Sequence, residues 1–405
     1  MRFVICHLIF AICFLTGCQA LGDLVPRASP TSAATLAPEA QGTSLAVGDP
    51  PGPVLGIAPL PDGGFLAGVG PIGDADTGFE WRLYRGRDDA WRPLAWPPEA
   101  IPRSLHPAPA GDLLFVVPFS NALFGRGQAW GLMRSANGGR SWEQALAGLG
   151  DPYVMDLALS SAFGDDRTLF AVTWYNGVYR SSDAGQTWEA LPLAGEEMEP
   201  SGGANPYDLA VAVSPDYSDS AGTGLVMASF SHRLRRQEAS ADAWRSTPLT
   251  VTATVKDFEP PAAQLSAGRI AFSPNFADDG TIYLYSGYAG LFRSADRGMT
   301  WERIGRRLPL RPPFVADFHL AVTSAAEAYV LLATGETDPG LGQPARTLYR
   351  TRDGGRSWEG LYDPPTLGWV SAFALGHDAQ GRVVLHLGGS RGGVSSHLAD
   401  SLPWD

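Results

Sequence analysis

Four stretches of this chain repeat one eleven-residue pattern: LMRSANGGRSW over Leu132–Trp142, VYRSSDAGQTW over Val178–Trp188, LFRSADRGMTW over Leu291–Trp301 and LYRTRDGGRSW over Leu348–Trp358. Each joins an apolar-aromatic run ending in Arg to a Trp-led run through Ser/Thr-X-Asp/Asn-X-Gly-X-Ser/Thr-Trp, a spacing that suits a β-hairpin turn. A short Asp or Asn side chain accepts bonds from backbone N–H groups within such a turn, and Gly tolerates the positive φ that reverses the chain. The Trp then opens the next strand, with a large apolar face to bury against a neighbouring sheet.

Worn copies extend the series. Leu83–Trp91 (LYRGRDDAW) and the Arg-rich run from Leu234 to Trp244 follow the same plan, and Gly393-Val394 precede Trp404 as Gly177-Val178 precede Trp188. The series Trp91, Trp142, Trp188, Trp244, Trp301, Trp358, Trp404 then advances in steps of 46 to 57 residues, a period of propellers and solenoids. Four short strands per period select the propeller: Arg269–Ser273, Thr281–Ser286, Gly290–Ser294 and Trp301–Ile304 in one period, and Met155–Leu159, Thr168–Thr173, Gly177–Arg180 and Trp188–Leu191 in another. The expected fold is all-β: a seven-bladed β-propeller over residues 51–405, four antiparallel strands per blade, with the repeat turn between strands three and four. No helical period is visible in the mature chain. Asp405 follows Trp404 directly and leaves the seventh blade no outer strand of its own, so Thr43–Val47, the β-prone run before the first blade, is expected to pair there over residues 43–48 and close the ring.

The four clear copies resemble the Asp-box, or BNR, repeat of the sialidase-like β-propellers. In that resemblance Asn137, Gly139 and Trp142, Asp183, Gly185 and Trp188, Asp296, Gly298 and Trp301, and Asp353, Gly355 and Trp358 are structural. One active site does not need a copy per blade, and outer turns do. The resemblance also implies an activity to look for. Sialidases grip a carboxylate with three Arg and use a Tyr–Glu pair with an Asp acid/base. Here the first inner strand reads Leu55-Gly-Ile-Ala-Pro without the expected Arg, Ile101-Pro-Arg-Ser holds the motif's letters in another order, and no Tyr–Glu pair can be placed. A lipid-anchored photosystem assembly factor of the same propeller class works by binding protein, and xyloglucan-cleaving relatives place their site between two propellers where this chain has one.

The N-terminus says where the propeller lives. Arg2 leads an apolar run from Phe3 to Leu15, too short for a comfortable membrane span and suited to a secretory signal. It ends in Leu15-Thr-Gly-Cys18, which resembles a bacterial lipobox. That implies a signal peptide over 1–17, a lipidated Cys18 as the new N-terminus and an extracytoplasmic protein anchored to the cell envelope; a general signal cleaved near Ala20 is the alternative. Cys6 and Cys13 leave with the signal, so no internal disulfide is available. Residues 18–50, rich in Ala, Pro, Ser and Thr, read as a flexible tether.

Charge narrows the partners. With 30 Lys plus Arg against 42 Asp plus Glu the net charge is −12, the wrong footprint for nucleic acid. The seven His show no metal-ligand spacing, and the acidic turns Asp165-Asp-Arg-Thr, Asp216-Tyr-Ser-Asp and Asp278-Asp-Gly-Thr lack a calcium-loop ligand series. No metal or cofactor is expected.

In such a blade the strand one-to-two and three-to-four turns share one face, and the two-to-three and blade-to-blade loops share the other. The long insertions Gly70–Gly78, Phe119–Ala129, Gly195–Pro206, Thr250–Ser266 and Gly335–Arg346 fall on the second face, the usual recognition surface. Inner strands enter the channel there, which makes their first polar residues the ligand candidates: Arg103, His106, Asp156, Asp208, Arg269, Asp317 and His319. Pairing among themselves at the channel mouth is the competing structural reading. The reading is a noncatalytic module for a protein or glycan; the alternatives are a sialidase-like glycoside hydrolase and an envelope assembly factor. The lipid anchor has a direct test: a Cys18→Ala protein is expected in the soluble fraction after cell lysis, and its retention by membranes would refute the anchor.

Overall fold

The structure is a computed structural model that describes residues 52–74, 78–87, 90–119, 129–191, 209–230, 233–240, 244–246, 268–286, 290–305, 308, 318–337, 344–361 and 369–405. The expected signal and tether, Cys18 and residues 43–48 lie outside them. Seven antiparallel sheets follow one another along the chain. Blade 1 comprises Val54–Pro59 (β1), Phe65–Asp74 (β2), Gly78–Arg87 (β3) and Ala90–Pro93 (β4); blade 2 Ile101–Pro107 (β5), Leu114–Phe119 (β6), Met133–Ser135 (β7) and Glu143–Gln144 (β8). Blade 3 has Val154–Leu159 (β9), Leu169–Thr173 (β10), Gly177–Ser181 (β11) and Glu189–Ala190 (β12); blade 4 Ala210–Val213 (β13), Leu225–Phe230 (β14), Arg233–Glu238 (β15) and Arg245–Ser246 (β16). Blade 5 has Arg269–Phe272 (β17), Ile282–Ser286 (β18), Gly290–Ser294 (β19) and Glu302–Ile304 (β20); blade 6 His319–Val322 (β21), Ala328–Thr337 (β22), Pro344–Thr351 (β23) and Glu359–Leu361 (β24). Blade 7 contributes Val370–His377 (β25), Val383–Gly389 (β26) and Val394–Leu398 (β27). The first strand of each blade touches the first strand of the next, from β1 through β25 and back to β1. This is the expected seven-bladed propeller.

Ring closure is visible at the seam between the last blade and the first. Ser371 Oγ donates to Val54 O at 2.7 Å across 317 residues of sequence, and Val54, Ala372 and Trp91 share one buried cluster. Close approach explains two glycines of blade 1. A Cβ at Gly68 would lie 2.0 Å from the Pro102 carbonyl oxygen, and one at Gly56 2.4 Å from that of Arg103, so β1 and β2 reach β5 only without side chains there.

The core is seven separate seams, and each carries one Trp of the sequence ladder. Trp142 packs among Leu66 and Leu83 of blade 1, Trp188 against Phe115 and Leu132 of blade 2, Trp244 against Phe170 and Val172 of blade 3. Trp301 meets Met227 and Leu234 of blade 4, Trp358 meets Tyr283 and Tyr285 of blade 5, and Trp404 meets Tyr329 and Leu331 of blade 6. The third-strand Arg reaches the other way. Arg134 Nε donates to Ala184 O at 3.0 Å, Arg236 Nη1 to Arg297 O at 2.9 Å and Arg293 Nε to Ala325 O at 3.1 Å, each in the following blade. Arg180 pairs with Asp219 at 2.6 Å and Arg350 with Asp400 at 3.0 Å in the same sense.

Trp404 opens no strand, as the sequence leads one to expect: β27 is followed by a single 3-10 turn, Ala399–Ser401, Trp404 stacks 4.4 Å from the Arg350 guanidinium, and Asp405 exchanges two backbone hydrogen bonds with Gly360 of blade 6. Two local expectations need correction. The segment Gly70–Gly78 is no irregular loop, because Ile72 pairs with Glu80 and Asp74 with Gly78 in a prolonged hairpin; Thr337 likewise pairs with Pro344. The helix-free reading misses two one-turn helices, Phe163–Asp166 and Phe276–Asp279, each burying its Phe. Two of the three acidic turns discounted for calcium, those at Asp165 and Asp278, are these turns. Ser160 Oγ donates to Asp166 Oδ2 and Ser273 Oγ to Asp279 Oδ2, both at 2.6 Å. The Thr168 and Thr281 amides donate to the second oxygens at 2.8 and 2.7 Å. Among the described residues no helix is long and apolar enough to cross a membrane.

Trp301 is 1% exposed and fills its seam. Trp301→Ala is expected to cost about 3–5 kcal/mol, read from urea midpoints; Trp301→Phe, which keeps a ring in the seam, should cost clearly less, and equal losses would count against the packing role.

Candidate functional site

The repeat turns consume their own polar groups. Ser181 Oγ donates to Asp183 Oδ1 at 2.8 Å, the Gly185 amide donates back to Ser181 Oγ at 2.9 Å, and the Thr187 amide and hydroxyl reach the carboxylate at 2.9 and 2.6 Å. The set recurs at Asp296 with Ser294 and Thr300, at Asp353 with Thr351 and Ser357, and in amide form at Asn137 with Ser135 and Ser141. The turn needs left-handed backbone at Gly139, Gly185, Gly298 and Gly355, where φ runs from 77° to 91°. Desolvation disfavours the Asp353 charge, but the bonds from Ser357 and Thr351 outweigh it and hold this carboxyl down at about 2; Asp183 and Asp296 are lowered for the same reasons. All of this chemistry faces inward to the turn.

The opposite end of the channel is different. All seven blades contribute to a cavity of ≈ 200 Å³ at its mouth. Arg103 of β5, Asp156 of β9, Arg269 of β17 and His319 of β21 line it, which brings together four of the seven residues the sequence proposed. His106 is not at the cavity wall. It lies further along β5 with Nε2 2.8 Å from Ser104 Oγ, close enough to Arg269 to feel its charge. Asp208 and Asp317 lie outside the described residues, adjacent in sequence to the lining residues Leu209 and Phe318.

Burial sets the electrostatics of this end. The Asp156 carboxyl is pushed above its ordinary value by desolvation, opposed by the nearby Arg269 charge and by the Val211 amide, which donates to Oδ2 at 3.1 Å. His106 is pushed down to about 4, by burial first and by Arg269 second. Arg269 Nη1 donates to Gly268 O at 2.8 Å, and the Arg103 guanidinium lies 5.6 Å from the Phe119 ring centroid, cation-π geometry.

Attention to polar residues alone overlooks the aromatic wall. Tyr285 and Phe318 stack across the seam between blades 5 and 6 with centroids 3.6 Å apart and planes 2° from parallel; Phe373 sits 6.4 Å from the His319 ring. Tyr153 belongs to the same mouth and meets Tyr175 edge-on at 5.8 Å. The signal for it was positional: these aromatics stand at the mouth ends of first and second strands, beside the polar candidates. Among the described residues no three His, Cys, Asp or Glu side chains are grouped to hold a metal ion.

Fold and site together define a seven-bladed β-propeller with a small, arginine-bearing aromatic opening at one end of its channel. No family model and no curated protein matches the chain. Among solved structures it is similar to YCF48 bound to D1 peptide, at 16% identity and a TM-score of 0.50 over 90% of this chain and 99% of that one. YCF48 from Cyanidioschyzon merolae is similar at 16% and 0.50, covering 86% and 96%. A GH74 xyloglucanase from Xanthomonas campestris is similar at 14% identity and a TM-score of 0.41 over 89% and 74%, too distant to carry an argument. Identities this low speak to the fold alone.

The lowered histidines give a pH dependence. His386, 4.5 Å from Phe65 across the closing seam, is also pushed down to about 4 by burial. Below 6.5 the unfolded chain takes up protons that folded His106 and His386 refuse, so stability drops as pH falls from about 6.5 to 4. Asp156 works the opposite way, since its raised pKa lets the folded form keep a proton the unfolded chain has released. His106→Gln should therefore make the acid-side loss of urea stability shallower than in the wild type; an unchanged slope would mean His106 is not held neutral.

Proposed function

We propose that this chain is a noncatalytic Asp-box propeller, tethered to the extracytoplasmic side of a bacterial membrane through a lipid on Cys18, that binds a protein segment at the channel mouth. The observation that carries the reading is the cavity itself: two guanidinium groups and a set of aromatic rings converge on a space of ≈ 200 Å³, the size of a side chain or two rather than of a folded domain. Rings supply contact area at low entropic cost, and arginine supplies donors to peptide carbonyls and carboxylates. The YCF48 neighbour bound to a peptide supports protein binding by a propeller of this class.

The repeat-turn geometry supports the Asp-box assignment, since each Asp or Asn serves its own turn. The anchor rests on the N-terminal sequence pattern, and the mature protein's localisation to the cell envelope follows from it. An assembly role would be one use of such a binding surface.

A photo-reactive residue in place of Tyr153, in the full lipidated chain on intact cells, tests the site. The expected result is a protein adduct that disappears when Arg103 and Arg269 are replaced by Ala and does not form from the same group at Glu189 on the outer rim. Adducts to glycan only, or hydrolysis of a sialoside or glycoside panel that Arg269→Ala abolishes, would replace this reading with a carbohydrate-directed one.

A further inference from the structure

The cavity at the channel mouth has one wall that continues outward. Tyr153 lines the cavity and stands just before β9, and the turn Trp174-Tyr175-Asn176 joins β10 to β11 beside it. The Tyr175 ring meets Tyr153 at a centroid distance of 5.8 Å with 74° between planes, and meets Trp174 at 6.4 Å and 73°. Three half-buried rings thus run from the cavity onto the rim of blade 3, each set steeply against the next.

Local backbone bonding builds this run. The Asp151 carboxylate receives the Tyr153 amide on Oδ1 at 2.8 Å, and on Oδ2 the Asn176 side-chain amide at 3.0 Å and the Tyr175 backbone amide at 3.3 Å. One side chain therefore ties the entry loop of the blade to the turn. Trp174 N donates to Tyr153 O at 2.9 Å. Met155 is an extra residue in the β9–β10 ladder, because Asp156 faces Val172 while Val154 faces Thr173; such a bulge re-aims side chains at the end of a strand. A Cβ at Gly150 would lie 2.5 Å from Tyr179 Oη and 3.0 Å from Asn176 Nδ2, so the loop closes down on the turn only with glycine there.

We propose that Tyr153, Tyr175 and Trp174 form a docking rail for an extended, proline-containing segment of a partner protein, whose continuation enters the channel-mouth cavity; this rests on the protein-segment reading of the cavity and names the kind of segment.

Ring geometry selects the occupant. A sugar ring lies flat on an aromatic face, and planes 73° and 74° apart offer corners in place of a platform. A proline ring fills such a corner: it is rigid and apolar, and the C–H groups beside its nitrogen bring partial positive charge to the negative ring faces. A segment in the polyproline conformation has no internal hydrogen bonds and little entropy left to lose, which is why aromatic-lined grooves take it. Steps of 5.8 and 6.4 Å between ring centres suit one turn of that helix, about 9 Å.

Polarity agrees with this occupant. The Asp151 carboxylate is consumed by its three donors, so the rail offers ring faces and hydroxyls to an uncharged surface. Unpaired carbonyls of an extended segment need donors, and the Tyr175 hydroxyl keeps its proton to donate: burial first, then Tyr153 and the Asp151 charge, hold its pKa above the ordinary value. Because Tyr153 belongs to rail and cavity alike, a segment on the rail delivers its next residues to Arg103 and Arg269, which donate to carbonyls and carboxylates.

A fluorescein-labelled oligoproline peptide, titrated with the full chain and followed by anisotropy, tests the rail. It is expected to bind, and a Gly-Ser peptide of equal length is not. Tyr175→Ala should weaken binding about tenfold or more. Tyr175→Phe, which keeps the ring and the fold and removes only the donor, should weaken it several-fold, and Glu189→Ala on the outer strand of the same blade should leave it unchanged. Failure of oligoproline to bind, or binding that Tyr175→Ala leaves as in the wild type, would overturn the rail. So would a cello-oligosaccharide that binds in a Tyr175-dependent way where oligoproline does not. The two readings fail separately: a protein adduct from position 153 without oligoproline binding removes the rail and leaves the cavity's protein-segment reading standing, whereas adducts to glycan alone remove the reading on which the rail rests.

Discussion

An indole wedged between each blade and the one before it is the contact on which the rest of the molecule depends. A lone four-stranded sheet buries one face poorly. Full burial of a Trp removes on the order of 200 Å² of apolar surface, about 5 kcal/mol at the usual coefficient; five seams hold a ladder Trp buried in this way, and in the other two Trp358 and Trp404 are partly buried. In the four clear repeats the Trp stands one residue ahead of its strand, so the turn that reverses the chain also aims the indole. The Arg of the preceding strand completes the arrangement in the other direction, reaching forward to a carbonyl or carboxylate of the next blade. The five seams from blade 2 to blade 7 are thus held from both sides by residues of one eleven-residue pattern.

That economy is why the fold was legible. Spacing alone fixed the number of blades, because the Trp ladder and the seam count are the same physical fact. Even Trp404, with no strand to open, fills the sixth-to-seventh seam as its position in the ladder requires. What escaped was local geometry carried by side chains the repeat does not share. The Ser–Asp–Thr clamps at Asp166 and Asp279 look in sequence like acidic loops. The prolonged hairpin at Ile72–Glu80 hides behind Gly, Pro and Asp that usually signal irregular backbone.

The mouth was half legible, for a reason that lies in the strands themselves. Polar residues at the entry of an inner strand must point into the channel or be buried in a seam, and Arg103, Asp156, Arg269 and His319 take the first course. His106 sits further down the same strand, past the register shift between Pro102 and Ser104, and is absent from the cavity wall. The aromatic partners could not be read as readily, because Tyr285, Phe318 and Phe373 are also what any seam would select. Their stacking is a property of two blades meeting, not of either sequence.

The two ends of the ring put the same residue type to opposite uses. Asp353, clamped by Ser357 and Thr351, is held at about 2 and stays charged under any physiological condition. Asp156, with the Val211 and Leu157 amides and an arginine nearby, is still pushed upward by burial. A carboxylate satisfied by its own turn has nothing left to offer a ligand, and repeating it stabilises the ring without adding a site. A carboxylate whose environment resists its charge gains from any donor brought to it. The asymmetry follows from the topology, since three-to-four turns must be alike to keep the seams alike, while the mouth loops are released from that requirement. The proposed recognition accordingly uses the end of the channel where the repeat stops dictating the side chains.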